Sequence, residues 1–294
     1  MKTYPLVHIV TLNWNHLNDT CSFLISANQL DYPNYQIVMV DNGSTENPIP
    51  TIEEQFPSVV CIRNAQNLGF SGGVNTGIRY ALEHETDFVF LANNDTFMAT
   101  DMLSLLVDAA QEEKVGLVSP KILYAAPPHP IWSVGAQRNK LTLEIAGCRR
   151  GQADTNLNEK PFPVDFVTAC GVLIKRQCIE DIGLFDERFF MYYEDSDYAL
   201  RAQLAGYKMV VVPKAKMWHH VAVSSGGGDS PNERYWMALS SIQFVRKHIH
   251  GWRWLVIIPY RLGSALKTMI RLLVNKQTDA AKAYLRGLKD GLAK

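Results

Sequence analysis

Residues 88–96 read FVFLANNDT, an apolar run that stops abruptly in amide and carboxylate side chains. The run predicts a strand over Phe88–Ala92, closed by Asn93-Asn94-Asp95-Thr96. The same grammar repeats toward the N-terminus. Residues 6–12 (LVHIVTL) end in Asn13-Trp14-Asn15 and precede a helical pattern through Leu17, Leu24, Ile25 and Leu30. Gln36–Val40 ends in the turn formers Asp41-Asn42-Gly43-Ser44. Val59–Arg63 is a further strand, and Asn67–Gly73 leads into a helix reaching about Leu82. Strands alternating with helices predict an α/β fold with a mostly parallel sheet covered on both faces, and ligands then bind beyond the strands' C-terminal ends. Asp41 and Asp95 sit at two such ends.

Toward the C-terminus the pattern is less regular. It predicts a helix over Met102–Gln111, strands over Val115–Ser119 and Lys121–Tyr124, and a long irregular region over Ala125–Asn158. Loops of that length usually shape a site. Val164–Lys175 reads as one buried strand with small residues in its middle, and Gln177–Ile182 as a short helix. Another helix should run from the acidic stretch 194–197 to about Ala205, stopped by Gly206. Lys208–Val212 is a strand, and Ser224–Gly228 a flexible loop or lid after Trp218-His219-His220. Helical stretches follow at 234–248, 252–274 and about 279–292.

The chain of 294 residues is 47% hydrophobic, enough for a sizeable core in one large or two modest domains. Net charge is zero but unevenly placed: residues 1–245 hold 18 Lys and Arg against 27 Asp and Glu, residues 246–294 hold 11 against 2. A basic tail on an acidic body implies an anionic partner, membrane or nucleic acid. Arg253, Arg261, Lys267 and Arg271 interrupt the apolar residues of 252–274, leaving no run of about 20 to cross a bilayer. Trp252, Trp254 and Tyr260 on a basic helix suit the headgroup region better than base stacking, so the reading is membrane contact without nucleic acid; packing on the body or another subunit is the alternative. Five cysteines without a CxxC pair read as reduced thiols, and no charged-then-apolar leader opens the chain. Both point to the cytoplasm.

Three carboxylates in four residues, Glu194, Asp195 and Asp197, follow the aromatic run FFMYY (189–193). Water-poor surroundings raise a carboxylate's pKa and can poise a general base. The alternative is a solvent-facing helix start favoured by the macrodipole. Asp95 beside amides can hold a hard divalent cation with positions open for phosphate, or simply form an Asx turn. His219 would complete a mixed oxygen and nitrogen site for Mn²⁺ or Mg²⁺, or be a packed histidine. The Gly-rich stretch 67–77 lacks the Lys-Ser/Thr of a phosphate loop, and Gly77 suits close packing of helix on sheet.

Taken together, TLNWN (11–15), VDNGS (40–44), NLGFSGGVNTGIRYAL (67–82), LANNDT (91–96), CGVLIKR (170–176), GLFDERFFMYYEDSDYALRAQLAGY (183–207) and MWHH (217–220) strongly resemble the family-2 inverting glycosyltransferases of GT-A fold. The nearest likeness is to their bacterial rhamnosyltransferase-type branch, which builds surface polysaccharides. The resemblance covers about residues 6–220, and 234–248 resembles the segment that follows in that branch. It implies that Asp195 is the catalytic base, that Asp41 contacts the nucleotide base, and that Thr11, Asn13, Gly69, Asn94 and Asp95 line the donor site. Glu194 and Gly171 fall to the acceptor, Asp95 and His219 to the metal. Asn93 stands where many members carry Asp. The implied reaction moves a sugar, rhamnose among the candidates, from a nucleoside diphosphate to a glycan or lipid-linked glycan with inversion at the inner face of the cell membrane; oligomerisation is left open. The implied division is a catalytic domain, 1–228, with donor half 1–100 and acceptor half 101–228, and a basic helical extension, 229–294. Rivals are an inactive sugar-nucleotide-binding scaffold, disfavoured by the presence of Asp95 and Asp195, and a sugar nucleotidyltransferase, which needs a basic Gly-rich loop where this chain has Asn13-Trp14-Asn15.

Overall fold

The computed structural model describes residues 4–147, 149–155, 160–221 and 229–293. The expected lid at Ser224–Gly228 lies outside them. In chain order the elements are β1 (Val7–Asn13), α1 (Leu17–Ala27), β2 (Tyr35–Asp41), α2 (Ile49–Gln55), β3 (Val60–Arg63), α3 (Gly69–Glu83), β4 (Phe88–Asn93), β5 (Thr96–Met98), α4 (Met102–Ala109) and β6 (Val115–Tyr124). The short strands β7 (Ile131–Ser133), β8 (Gln137–Arg138), β9 (Ile145–Ala146) and β10 (Phe162–Val164) follow, then β11 (Gly171–Lys175), α5 (Arg176–Ile182), α6 (Glu194–Leu204) and β12 (Lys208–His219). Three helices close the chain: α7 (Pro231–His248), α8 (Trp254–Val274) and α9 (Thr278–Ala293).

One sheet of ten strands runs β10-β12-β6-β11-β4-β1-β2-β3, with β5 on β12 and β7 on β6. It is parallel from β3 to β4, turns antiparallel at β11, and returns to a long parallel pairing of β6 with β12. Side chains alternate across a strand, so β1 sends Val7 and Ile9 to a core shared with α1, α2 and α4, and Val10 to a core shared with α3, α5 and α6. Gly77 explains the tightness of the second layer: a Cβ there would collide with Val10 Cγ1 and lie 3.2 Å from Val40 Cγ2. In-register pairing of Asn13 with Asp41, and of Leu12 with Asn93, aligns the polar strand ends along one edge of the sheet.

Several boundaries differ from expectation for physical reasons. The single strand expected over Val164–Lys175 is two, because the backbone changes partner: Phe162–Val164 pairs with β12, the Asp165 N–H then donates to the Ala136 carbonyl at 2.9 Å, and Gly171–Lys175 pairs with β4. The two strands expected on either side of Pro120 are one: β12 is its parallel neighbour there, and the register shifts between Val212 and Lys216. β12 continues seven residues beyond the expected end at Val212, so His219 is fixed on the sheet. The region 125–158 is not wholly irregular but carries β7, β8 and β9.

The helix α7 starts with a reciprocal cap, Ser230 Oγ accepting from the Glu233 N–H at 3.1 Å and Glu233 accepting from the Asp229 N–H at 2.8 Å, with Pro231 at its first position. In α8 only Ile257 and Leu272 are buried. Its inward side is mixed, Leu272 packing with Ala265 and Met269 while Arg261 pairs with Glu144 at 2.9 Å, and Leu255, Ile258, Leu262, Leu266, Ile270 and Leu273 form an exposed stripe at helical spacing. Among the described residues no helix is long and apolar enough to cross a membrane.

Candidate active site

The strand ends are tied into one hydrogen-bonded chain. Asn94 Nδ2 donates to Thr20 Oγ1 at 2.9 Å, Thr20 donates to Asn13 Oδ1 at 2.9 Å, and Asn13 Nδ2 donates to Asp41 Oδ1 at 3.0 Å. Ser44 closes it, its hydroxyl donating to Asp41 Oδ1 at 2.5 Å while accepting from the Asn15 N–H at 2.8 Å. Arg63 lies 3.4 Å from Asp41 and donates to the Ser44 carbonyl at 2.8 Å. Asp41 is therefore wholly buried, its oxygens turned to protein donors, and it forms the floor of this end of the sheet. Thr11, also buried, has a hydroxyl with no partner. Thr20, Ser44 and Arg63 were not anticipated: an isolated Thr inside an amphipathic helix gives no local sign that it bridges two strands.

Asp95 and His219 meet. The imidazole Nε2 lies 3.2 Å from the carboxylate, both side chains are buried, and Asp95 Oδ1 and His219 Nδ1 have no hydrogen-bond partner. Burial opposes charge on His219, but Cys170 and Asp95 outweigh it and raise the imidazole, so an ion bound here would have to displace a proton from the ring. One carboxylate and one imidazole within reach of each other suit a borderline divalent ion such as Mn²⁺ with further positions free, because two neighbouring ligands of one octahedral ion lie about 3 Å apart. No group of three or more His, Cys, Asp or Glu side chains able to hold a metal ion occurs among the described residues. The donor set present therefore fits an ion that also depends on ligands from a substrate.

The acidic stretch is not a solvent-facing helix start. Glu194 and Asp197 are buried and Asp195 half-buried. Asp195 accepts from the Ser196 N–H at 2.7 Å and from the Thr168 side chain and Ala169 N–H, with Arg138 nearby. Burial nevertheless dominates and raises it to about 6. Glu194, with an unpartnered Oε2, is raised well above the ordinary range by burial and by the charge on Asp195. Both neighbouring carboxylates are thus pushed upward, by burial first, which favours a group able to take a proton near neutral pH. Asp197 has a different job: it binds Lys247 at 2.6 Å, His248 at 2.7 Å and Arg201 at 2.8 Å, fastening α7 to α6. Immediately before the pair, Tyr192 and Tyr193 both occupy the left-handed region, at φ 66° and 68°. Each such residue costs about 1–3 kcal/mol and persists only under constraint.

The segment Thr168–Gly171 joins the two centres. Thr168 and Ala169 hold Asp195, while Cys170 is close enough to interact electrostatically with His219, Asp95 and Asp195. Gly171 pairs with Ala92 on β4 and backs onto Met217. Gly69, at φ 74°, lies against Phe190, where a Cβ would strike the carbonyl, and its own carbonyl accepts from Asn42 Nδ2 at 2.9 Å. Thus Asn13, Asp41 and Asn94 share one network, Asp95, His219 and Asp195 gather around Cys170, and Gly69 stands where α3 meets the approach to Glu194.

The profile of the family described as glycosyltransferase-like family 2 matches residues 5–238. An N-acetylglucosaminyl-diphospho-decaprenol L-rhamnosyltransferase of Mycobacterium tuberculosis is 26% identical over 310 residues, covering 98% of each chain. A dTDP-rhamnosyl transferase of Shigella flexneri is 22% identical over 252 residues, covering 82% of this chain and 80% of its own. Among solved structures, a mannosyltransferase of Pyrobaculum calidifontis in complex with GDP-Man and Mn²⁺ superposes with a TM-score of 0.59 at 18% identity, over 96% of this chain and 74% of that one.

Proposed function

This chain belongs to the glycosyltransferase-like family 2 and has the GT-A fold, and from that premise we propose that it transfers rhamnose from dTDP-rhamnose, with inversion, to a lipid-diphosphate-linked glycan of the cell surface. The observation that carries the reading is the placement of the buried Glu194-Asp195 pair and the Asp95–His219 pair on the two sides of the segment Thr168–Gly171.

In this mechanism the ionised Asp195 takes the proton of an acceptor hydroxyl as that oxygen attacks the anomeric carbon from the face opposite the nucleoside diphosphate. The carbon–oxygen bond to the diphosphate breaks as the new bond forms, and the configuration inverts. Asp95 and His219 would hold a divalent ion, Mn²⁺ or Mg²⁺, whose charge offsets that of the departing diphosphate. Asn13, Thr11, Asn94 and the Asp41 floor orient the donor, Gly69 keeps Phe190 and the acidic stretch close to α3, and Glu194 and Gly171 flank the acceptor. A glycosidase needs two carboxylates facing each other across the bond at about 5–9.5 Å, which consecutive helical residues do not offer.

The division into a catalytic domain over 1–228 and a basic extension over 229–294 belongs to the same proposal, with the extension held on the inner face of the cell membrane. The outward stripe of α8 supports this: its apolar side chains face away from the protein, as in a helix lying in a lipid surface.

Thermal unfolding with Mn²⁺ and a panel of nucleotide sugars tests the donor, since a ligand bound by the native state raises the midpoint. dTDP-rhamnose should give the largest shift, and a larger shift with another sugar nucleotide would replace it. Sedimentation with anionic vesicles at low salt tests the membrane contact, which Leu262→Ser with Leu266→Ser should weaken. Equal sedimentation of that variant would remove the stripe from the account.

A further inference from the structure

The inward face of α8 meets the catalytic half of the molecule at one side chain. Arg261 binds Glu144 at 2.9 Å and hydrogen-bonds Tyr193, the residue directly before Glu194 and Asp195. Tyr193 is itself strained at φ 68° and packs on Phe244 of α7 with ring centroids 5.4 Å apart. Glu144 ends the loop of the β8–β9 hairpin, from which Arg138 donates to the Ser196 carbonyl at 3.0 Å. Arg253, just before α8, donates to the carbonyls of Lys140 at 2.7 Å and Leu141 at 3.1 Å in the same hairpin. The start of this helix therefore reaches the acidic stretch by two routes, directly through Tyr193 and indirectly through the hairpin.

We propose that Arg261 is a positioning residue for the transfer reaction, holding Tyr193 in its left-handed conformation and thereby aiming Asp195 at the acceptor. The extension is then part of the catalytic apparatus, whatever its outer face contacts. This rests on the assignment of Asp195 as base, and it separates from the membrane reading because Arg261 is turned toward the protein while the apolar stripe is exposed.

The test uses the full chain with Arg261→Met and Arg261→Lys. Amide exchange over residues 189–196 should quicken in Arg261→Met while that over β1 and α1 stays as in the parent, a readout that needs no substrate. With dTDP-rhamnose, Mn²⁺ and a short-chain soluble acceptor, kcat should fall between about tenfold and about 10²-fold, the range a displaced reacting group costs. Donor affinity and vesicle sedimentation should hold, and Arg261→Lys should recover part of kcat. Unchanged exchange over 189–196, or donor affinity lost in step with kcat, overturns the proposal. Failure of dTDP-rhamnose to bind the parent chain would instead count against the donor assignment, with the exchange result still deciding the role of Arg261.

Discussion

The strand-end network and the acidic helix start are built by opposite means. Asn13, Thr20, Asp41, Ser44 and Asn94 all come from the first third of the chain, from successive strand–helix units whose ends the parallel register aligns. Asp195 instead depends on Thr168 and Ala169, on Arg138, and through Asp197 and Tyr193 on two helices that begin at Pro231 and Trp254. The first arrangement is local and should survive damage elsewhere. The second is assembled from distant parts, so its geometry is where remote substitutions should act.

Asp197→Ala should break this contrast most severely. It leaves Arg201, Lys247 and His248 around an empty buried position, and removing one partner of a buried charge network costs about 3–5 kcal/mol. Calorimetric unfolding should fall by on the order of 10 °C. Burial alone would raise Asp197, but His248, Lys247 and Arg201 outweigh it and hold it below the usual carboxylate range. Its contribution is accordingly present at neutral pH and is lost as pH falls below about 4.

The pH dependence gives a smaller effect confined to the acidic helix. On the proposed mechanism the base works ionised, and burial has raised Asp195 to about 6, so transfer should decline as pH drops through that value. At pH 5 the rate should stand about tenfold below its plateau. A transfer rate unaltered between pH 7 and pH 5 would deny Asp195 the part of base. Smaller still is Glu194→Gln: burial first and then the charge on Asp195 push Glu194 upward and disfavour its charged form, so an amide of the same shape should change initial rates by less than about tenfold. A larger loss would assign proton transfer to Glu194.

The same contrast explains what could be read in the chain before its fold was known. Apolar runs ending at Asn13, Asp41 and Asp95 announce strands and a site beyond them, because side-chain alternation and turn chemistry act over a few residues. Val164–Lys175 misleads by the same rule: its small residues look like buried strand, yet Thr168 and Ala169 turn to hold Asp195, a contact set by tertiary structure alone. Likewise nothing local marks Arg261 as reaching Tyr193, or Pro120 as lying inside a continuous strand. The basic tail was legible as charge, whereas the turning of Arg261 inward and of Leu262 and Leu266 outward required the packed helices.

The most direct test of a donor end and a base end with separate duties compares Asp95→Ala and Asp195→Asn. Donor dissociation constants by calorimetry, with Mn²⁺ and with EDTA, would be set beside initial transfer rates. The account predicts that Asp95→Ala loses donor affinity and its response to Mn²⁺, while Asp195→Asn keeps both and loses about 10²–10⁴ in turnover. Asp195→Asn turning over at a near-normal rate, or losing donor affinity in proportion to rate, would contradict it.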